Sequence, residues 1–251
     1  MGGHAEERPW LRQHEWDVRL EWGPVGAATV RSDAVVVIDV LRFTTAVDAA
    51  VGRGATVFPY RWKDGSAAGF AREVGAVLAG PGGEPGLSLS PISLLALGPG
   101  DRVVLPSPNG STCAAVAAEH GAEVVVAACL RNATAVARWL DRQRAVRTVT
   151  VIAGGERWPD GTLRPALEDH LGAGAVVAAL ADTLSPEARA AADLWHATAP
   201  RVAAAIADCA SGREQVARGW DGDLRYATEV DASATVPVLR DGAFVDAADQ
   251  P

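Results

Sequence analysis

Polar residues follow directly on an apolar run in the segment VVVIDVLRFTT, residues 35–45. The apolar residues are mostly β-branched, which is typical of a strand buried on both faces. Asp39 at the end of such a strand suits Mg²⁺, which prefers carboxylate and water oxygens, and Arg42 suits a phosphate group. Thr44 and Thr45 stand where a helix is expected to begin. The segment predicts one wall of a metal-assisted phosphate site; the alternative is that Asp39 caps the helix and pairs with Arg42.

A second candidate site is the turn PSPNGST, residues 106–112, which enters a predicted helix through Asn109, Gly110 and Ser111. A helix N-terminus offers unpaired backbone N–H groups and a partial positive charge. Gly110 allows a ligand to approach the backbone, and Ser111 adds a hydroxyl donor. The turn predicts a cradle for phosphate or sulfonate, with an ordinary helix-capping turn as the alternative.

A third candidate is the helical segment LEDHLGAGA, residues 167–175, in which Glu168 and Asp169 are adjacent. Neighbouring side chains on a helix point in different directions, so both carboxylates cannot face the same way. We expect at least one of them to point towards the sheet edge or a cleft, the alternative being a solvated helix face. Gly172 and Gly174 predict close packing of this helix against a neighbour.

The elements that position these residues alternate between strand and helix patterns. Strands are predicted over 16–22, 34–40, 55–60, 102–107, 123–129 and 148–155, with short strands within 235–245. Helices are predicted over 44–54, 66–80, 109–122, 132–144, 164–181, 185–209 (broken at Pro200) and 211–220. A turn is expected at 23–27, and an irregular loop with a short helical stretch at 81–101. The alternation predicts a three-layer α/β/α fold with a largely parallel or mixed central sheet.

Polar residues follow four of these strands, and the carboxyl ends of parallel strands meet at one edge of a sheet. Asp39 follows one strand, Asn109 a second, Asn132 a third and Glu156 a fourth. Asn132 is also a good N-cap residue. We therefore expect these positions to converge, and we add Asn132 to the predicted phosphate contacts.

The domain organisation predicted is a loose segment over residues 1–15 and one α/β domain over 16–251, with a smaller helical subdomain around 185–220. The net charge of −8 disfavours nucleic acid and anionic membranes as partners, so a small anionic substrate would need local arginines or a metal. The three cysteines are widely spaced, which fits a reducing cytoplasm. Scattered tryptophans and an Ala-rich C-terminal helix also lead us to expect a homo-oligomer.

Together these segments resemble the Mg²⁺-dependent 2-phosphosulfolactate phosphatases. The matching stretches are VVIDVLRFTTAV, LSLSPISL, PSPNGS, LRNATAVA, AGGERW with ALEDHLGAGA, and SGREQVARGWDGDLRYATEVDASATVPVLRDG, in family order over roughly residues 17–245. The resemblance implies an α/β phosphatase-like domain that uses Mg²⁺ to hydrolyse a phosphomonoester of a small sulfonated or carboxylated acid, a reaction of coenzyme M biosynthesis.

The resemblance also implies roles for individual residues. Asp39, Glu168 and Asp169 become the metal-binding carboxylates, and Asp39, Arg42 and Glu168 the catalytic residues. The implied phosphate contacts are Arg42, Thr44, Thr45, Asn109, Gly110 and Ser111. A metal-activated water and a phospho-aspartyl intermediate on Asp39 both remain open.

One loop departs from the family pattern. Gly80, Pro81 and Gly82 stand where the family usually carries Gly-Glu-Arg. That loop is a candidate for holding a second anionic group of the substrate. Two alternatives therefore accompany the phosphatase prediction: a small-anion-binding homologue with weak or no turnover, and a non-phosphatase enzyme that uses the same phosphate pocket.

Overall fold

A computed structural model describes residues 8–62, 64–80, 86–180 and 183–248, and a central β-sheet organises the fold. The strands are β1 (Val18–Trp22), β2 (Ala34–Ile38), β3 (Thr56–Tyr60), β4 (Val77–Leu78), β5 (Arg102–Pro106), β6 (Val124–Ala128), β7 (Val149–Ala153), β8 (Glu156–Arg157), β9 (Leu163–Arg164), β10 (Pro237–Arg240) and β11 (Ala243–Asp246). Among the described residues, nine strands form one sheet in the order β1-β7-β2-β6-β10-β11-β3-β5-β4, and β8 and β9 form a separate hairpin.

Helices connect and cover the strands. They are α1 (Gly23–Thr29), α2 (Phe43–Val51), α3 (Ser66–Glu73), α4 (Pro91–Leu94), α5 (Gly110–Glu119), α6 (Ala133–Arg142), α7 (Leu167–Ala179), α8 (Pro186–Thr198), α9 (Val202–Asp208), α10 (Ala210–Ala217) and α11 (Asp221–Ala227). Short 3-10 helices cover Pro9–Arg12 and Ala199–Arg201. Within the described part of the chain, no helix is both long and apolar enough to cross a membrane.

The two faces of the sheet bury alternate residues of β2. Val36 and Ile38 pack into a core that includes residues of α6, α7 and α8. Val35 and Val37 pack into a second core that includes residues of α1, α2 and α5. Helices therefore cover both faces, and the predicted α/β fold with a mixed, mostly parallel sheet is confirmed.

The C-terminal hairpin enters the middle of this sheet, which the sequence did not indicate. β10 pairs antiparallel with β6 and with β11, and β11 pairs antiparallel with β3. As a result, β3, β5 and β4 run antiparallel to β2. Each step in a sheet adds a twist of about 20–25°, and five steps separate β2 from β5. We attribute to this accumulated twist that the carboxyl ends of β2 and β5 meet at the cavity described below.

Several predicted elements need correction. Residues 23–27, expected as a turn, begin α1, where a proline occupies the first turn and suits a helix start. The helix predicted over 66–80 ends at Glu73, because Gly75 adopts a φ of 62° and redirects the chain into β4. The helix predicted from residue 164 begins at Leu167, after β9, and α11 follows the helix predicted over 211–220.

The glycines of α7 lie at close contacts, as predicted. A Cβ on Gly172 would come within 2.7 Å of Val40 Cγ2, and one on Gly174 within 2.2 Å of the carbonyl oxygen of Ala191 in α8. In the N-terminal segment, Gln13 is buried and donates to the carbonyl oxygen of Leu20 at 2.9 Å, so packing onto β1 starts before residue 16. Residues 1–7 lie outside the described ranges, and the predicted domain division stays a prediction.

Candidate active site

A cavity of about 320 Å³ lies where β2, β5 and the β8–β9 hairpin end or begin. The residues after β2 and β5 contribute Asp39, Arg42 and Asn109 to its wall, and α10 and its C-terminal loop complete the wall. Four arginines and three carboxylates line it: Arg42, Arg157, Arg164 and Arg218 with Asp39, Glu156 and Glu214. An acidic chain thus gathers arginines at one cavity, as a small anionic substrate would require.

Asp39 is held by backbone donors from two different helices. Its Oδ1 accepts a hydrogen bond from Phe43 N at 3.1 Å, and its Oδ2 accepts one from Gly110 N at 2.8 Å. The first bond is the helix-capping role that the sequence left as an alternative. Asp39 also lines the cavity, so the capping role and a place at the cavity wall occur together, while its role towards a metal or phosphate stays a prediction.

The turn before α5 does not present the free anion cradle that was expected. Gly110 gives its N–H to Asp39, so the anion at this helix N-terminus is a carboxylate of the protein. Ser111 is buried, and its hydroxyl donates to the carbonyl oxygen of Leu105 at 3.3 Å. Asn109 does reach the cavity, where its Nδ2 donates to Glu156 Oε2 at 3.0 Å.

Three other predicted phosphate contacts do not come to the cavity. The hydroxyls of Thr44 and Thr45 donate to the carbonyl oxygens of Asp39 and Val40, at 2.9 and 2.8 Å. Asn132 is fully buried; its Oδ1 accepts from Cys129 N, and its Nδ2 donates to a backbone carbonyl of the segment before β10. Each of these side chains forms hydrogen bonds with backbone N–H or carbonyl groups that would otherwise lack a partner at the strand-to-helix turns.

Arg42 lines the cavity but pairs with a residue far along the chain. Its Nη1 lies 3.1 Å from Oδ2 of Asp223 in α11, and its guanidinium carbon lies 3.9 Å from the centre of the Trp220 ring. Asp223 also accepts a hydrogen bond from Ser90 Oγ at 2.5 Å. Arg42 is therefore held by an ion pair with Asp223 and by stacking on Trp220. The alternative prediction, that Arg42 pairs with Asp39, is wrong.

The adjacent carboxylates of α7 are both buried and point in different directions. Asp169 faces the sheet edge, where Oδ1 accepts from Val40 N and Oδ2 from Gly155 N, both at 2.8 Å. Glu168 accepts from the thiol of Cys209 at 3.3 Å. Neither carboxylate lines the cavity. Burial, followed by the nearby charges of Glu168 and Asp39, raises the pKa of Asp169 well above its ordinary value.

Glu156 is the carboxylate that the structure adds to the site. Burial, followed by the charge of Asp39, raises the pKa of Glu156 to about 6, while the hydrogen bond from Asn109 acts against the rise. The strand-end pattern had included Glu156, but the predicted site had not. Its partner in the β8–β9 hairpin is Arg164, and the two face each other in register.

The wall residues of the β8–β9 hairpin, of α10 and of the loop after it escaped the sequence reasoning, because they lie on two-residue strands and in or near a short helix late in the chain. They are Arg157, Arg164, Glu214, Gln215, Arg218 and Trp220. Arginine makes up nearly all the positive charge of the chain, so no single arginine stood out. The motif AGGERW was the available signal for Glu156 and Arg157.

The carboxylates fit a divalent cation in part. Burial, followed by the charges of Asp39 and Glu168, raises the pKa of both Glu156 and Asp169, and a cation would relieve the repulsion among these carboxylates. Among the described residues, no group of three or more His, Cys, Asp or Glu side chains is arranged to hold a metal. Of these four carboxylates, Asp39 and Glu156 line the cavity, which suits Mg²⁺, since it is commonly held by one or two carboxylates with water and substrate phosphate.

The chain is similar to known proteins over most of its length. Residues 26–242 match the family model described as 2-phosphosulpholactate phosphatase. A probable 2-phosphosulfolactate phosphatase of Thermus thermophilus is 34% identical over 218 residues, covering 83% of this chain and 88% of that protein. Another, from Pseudothermotoga lettingae, is 27% identical over 215 residues, covering 84% and 91%. Of the loop that departs from the family pattern, residues 81–85 lie outside the described ranges.

Proposed function

Because the chain belongs to the 2-phosphosulpholactate phosphatase family, we propose that it hydrolyses 2-phosphosulfolactate, or a closely related phosphorylated acid, with Mg²⁺. The observation that carries the proposal is the position of Asp39, which two backbone N–H groups hold at the wall of an arginine-lined cavity. A volume of about 320 Å³ is at the lower end for ligand pockets and suits a small metabolite.

The phosphoryl group is assigned to the part of the cavity beside Asp39, Arg42 and Asn109. Arg42 supplies a guanidinium whose orientation is fixed by Asp223 and Trp220, and such a preorganised cation stabilises the charge that grows on the phosphoryl oxygens. Asn109 is oriented by its bond to Glu156. These residues bind and orient the group before any bond changes.

Hydrolysis breaks the bond between phosphorus and the ester oxygen, and the oxygen of water ends on phosphorus. In one route water attacks directly; in the other Asp39 attacks first and water then cleaves the phospho-aspartate. In both, the leaving oxygen takes up a proton. Over the whole reaction, the water that attacks phosphorus releases the proton that the leaving oxygen takes up.

Asp39 and Glu156 would hold Mg²⁺, because these two carboxylates line the cavity and repel each other. The bound cation would supply charge neutralisation at the phosphoryl oxygens and a more acidic water. The set Asp39, Glu168 and Asp169 stays a prediction; Asp169 has both oxygens on backbone donors, and Glu168 lies behind the wall.

We propose the cytoplasm as the setting of the enzyme and coenzyme M biosynthesis as its pathway, as the sequence resemblance implies. The cysteines Cys113, Cys129 and Cys209 are free thiols, which fits a reducing compartment. Assembly into a homo-oligomer stays a prediction.

The experiment that tests the function is inorganic phosphate release from 2-phosphosulfolactate, 2-phospholactate and 4-nitrophenyl phosphate. We expect release that requires Mg²⁺ and stops with EDTA, fastest with the phosphorylated acids. Tight binding of these compounds without phosphate release would contradict the proposal and favour a binding protein. Consumption of substrate without free phosphate would favour a different class of enzyme.

A further inference from the structure

The side-chain amide of Gln215 on α10 is an unexplained polar group at the cavity. The residue lines the cavity and is 7% exposed. Its Oε1 is enclosed and has no hydrogen-bond partner among the described residues. Buried polar atoms in native proteins are nearly always bonded, because leaving one unpaired is unfavourable. A polar group kept in this state at a cavity wall indicates a ligand contact.

Arg164 lines the same cavity and contacts the same helix. Its Nη2 donates to Ser211 Oγ at 3.0 Å, and Ser211 precedes Gln215 by four residues on α10. Residues four apart share a helix face, so Arg164 contacts the face of α10 that carries Gln215. The contact joins β9 to α10 at the cavity wall.

The charge of Arg164 is not neutralised by a close ion pair. Arg42 pairs with Asp223, and Arg218 pairs with Glu214, whereas no carboxylate of the described residues lies within ion-pair distance of Arg164. Glu156 is one carboxyl that responds to this charge, since Arg164 lowers its pKa against the larger effect of burial. A guanidinium next to an unsatisfied amide is a complementary pair for an oxyanion.

This pair lies on different elements from the residues assigned to the phosphoryl group. Asp39 and Arg42 follow β2, while Arg164 and Gln215 belong to β9 and α10. A ligand that contacts both sets therefore carries two anionic groups. An oxyanion accepts hydrogen bonds and cannot satisfy Oε1 itself. Binding therefore requires the amide to turn about its soft final torsion, so that its nitrogen donates to the oxyanion and its oxygen accepts from a guanidinium.

We propose that Gln215 and Arg164 determine substrate specificity by binding the anionic group that is not transferred, a carboxylate or sulfonate of the phosphorylated acid. The inference rests on the proposed phosphatase function and names the residues that select its substrate. Arg164 supplies charge, and Gln215 supplies a directed hydrogen bond that distinguishes an oxyanion from a methyl group of similar size.

A matched pair of substrates tests the assignment. In isopropyl phosphate a methyl group replaces the carboxylate of 2-phospholactate. For Gln215→Leu we expect kcat/KM with 2-phospholactate to fall about 10- to 100-fold, the range for a hydrogen bond to a charged group, and kcat/KM with isopropyl phosphate to stay within about 3-fold. Gln215→Glu should lose more on 2-phospholactate, since a like charge then faces the carboxylate. Gln143→Leu, a glutamine at the end of α6, is the control and should change neither value.

An equal loss on both substrates, or no loss on either, would overturn the assignment. Calorimetric titration with sulfolactate, the dephosphorylated acid, separates it from the phosphatase function. Gln215→Leu and Arg164→Met should weaken sulfolactate binding about 10-fold or more and leave inorganic phosphate binding nearly unchanged. If the variants show this pattern but the wild-type protein releases no phosphate, the subsite stands and the phosphatase function falls. If sulfolactate fails to bind, or binds equally to the variants, the subsite falls whatever the turnover.

Discussion

Gly110 donates its backbone N–H to Oδ2 of Asp39 at 2.8 Å, which joins residues 71 positions apart in the chain. The contact brings the start of α5 against the carboxylate that follows β2. A Cβ on Gly110 would lie 2.3 Å from Cδ1 of Phe43 and 2.9 Å from Oδ2 of Asp39. Glycine is therefore needed here for the close approach of two chain segments.

Gly110→Ala should reduce both stability and activity. The added methyl group must displace the Phe43 ring or the Asp39 carboxylate, and overpacking of this kind costs about 1–3 kcal/mol. Moving Asp39 also breaks its bond to the helix N-terminus, so phosphate release should fall well beyond the loss of folded protein. Urea unfolding and phosphate release measured on the same preparation check this.

The matched control is Gly69→Ala in α3, where a Cβ would meet nothing within 4 Å. Alanine is favoured over glycine inside a helix by about 1 kcal/mol, so this variant should be as stable as the wild type or more so, with unchanged activity. Equal behaviour of the two variants would contradict the role given to the Gly110 contact.

Asp39→Asn should remove activity and also lower the free energy of unfolding. Both carboxylate oxygens accept backbone N–H bonds, from Phe43 and Gly110, so an amide must place its NH₂ group against one of these donors. Losing one buried acceptor costs about 1–3 kcal/mol. Asp241→Asn, at a hairpin turn with a φ of 49° that asparagine tolerates, is the control. Full stability in Asp39→Asn would show that the two bonds are weaker than the geometry indicates.

The sequence predicted the layers of the fold well, because the β-branched run of β2 and the amphipathic helices carry strong local patterns. It also identified Asp39, Arg42 and Asn109, since strand ends are where an α/β sheet exposes polar residues. The close packing of Gly172 and Gly174 followed from small residues in a helix that carries few polar side chains.

The sequence did not show which polar groups would form hydrogen bonds within the protein instead of facing the cavity. Thr44, Thr45 and Ser111 bond to backbone carbonyls, and the N–H of Gly110 goes to Asp39. Such choices depend on distances between distant segments, which no local pattern encodes. For the same reason, the insertion of β10 and β11 between β6 and β3 was missed, because sequential order gives no pairing order for a late hairpin.

Glu156→Gln should change the pH dependence of stability. Burial raises the pKa of Glu156 to about 6 from the ordinary 4.5, so between these values the folded protein binds more protons than the unfolded chain. The contribution of Glu156 to stability therefore falls as pH rises through this window, by about 1–2 kcal/mol after allowance for partial solvent screening. Relative to the wild type, Glu156→Gln should gain this amount between pH 4 and pH 7.5. Urea unfolding at both pH values, in EDTA, measures it, and a constant difference would contradict the raised pKa.

Mg²⁺ should raise the melting temperature of the wild-type protein at pH 7.5, because a ligand that binds the folded state stabilises it by mass action. The rise should shrink strongly in Glu156→Gln, whose carboxylate lines the cavity, and persist in Glu168→Gln, whose carboxylate does not. Calorimetric scans with and without Mg²⁺ decide between the cavity pair and the three-carboxylate set. Loss of the shift in Glu168→Gln alone would favour the latter.

Asp223→Asn should weaken catalysis through Arg42. Asp223 is buried, accepts from Arg42 and Ser90, and so ties the residues after β2 and before α4 to α11. An amide keeps one acceptor but loses the charge, so the guanidinium of Arg42 is less firmly oriented. We expect kcat to fall about 10- to 100-fold, as for loss of a hydrogen bond to a charged group, and KM to change less, since positioning acts mainly in the transition state.

Asp221→Asn is the control for this prediction, because Asp221 lies in the same first turn of α11 and does not line the cavity. It should keep the wild-type kcat. A third variant, Trp220→Phe, keeps an aromatic face for Arg42, whose guanidinium carbon lies 3.9 Å from the ring centre. Trp220→Phe should therefore lose less activity than Asp223→Asn. If kcat fell equally in all three variants, the loss would reflect a general disturbance of α11 rather than the orientation of Arg42.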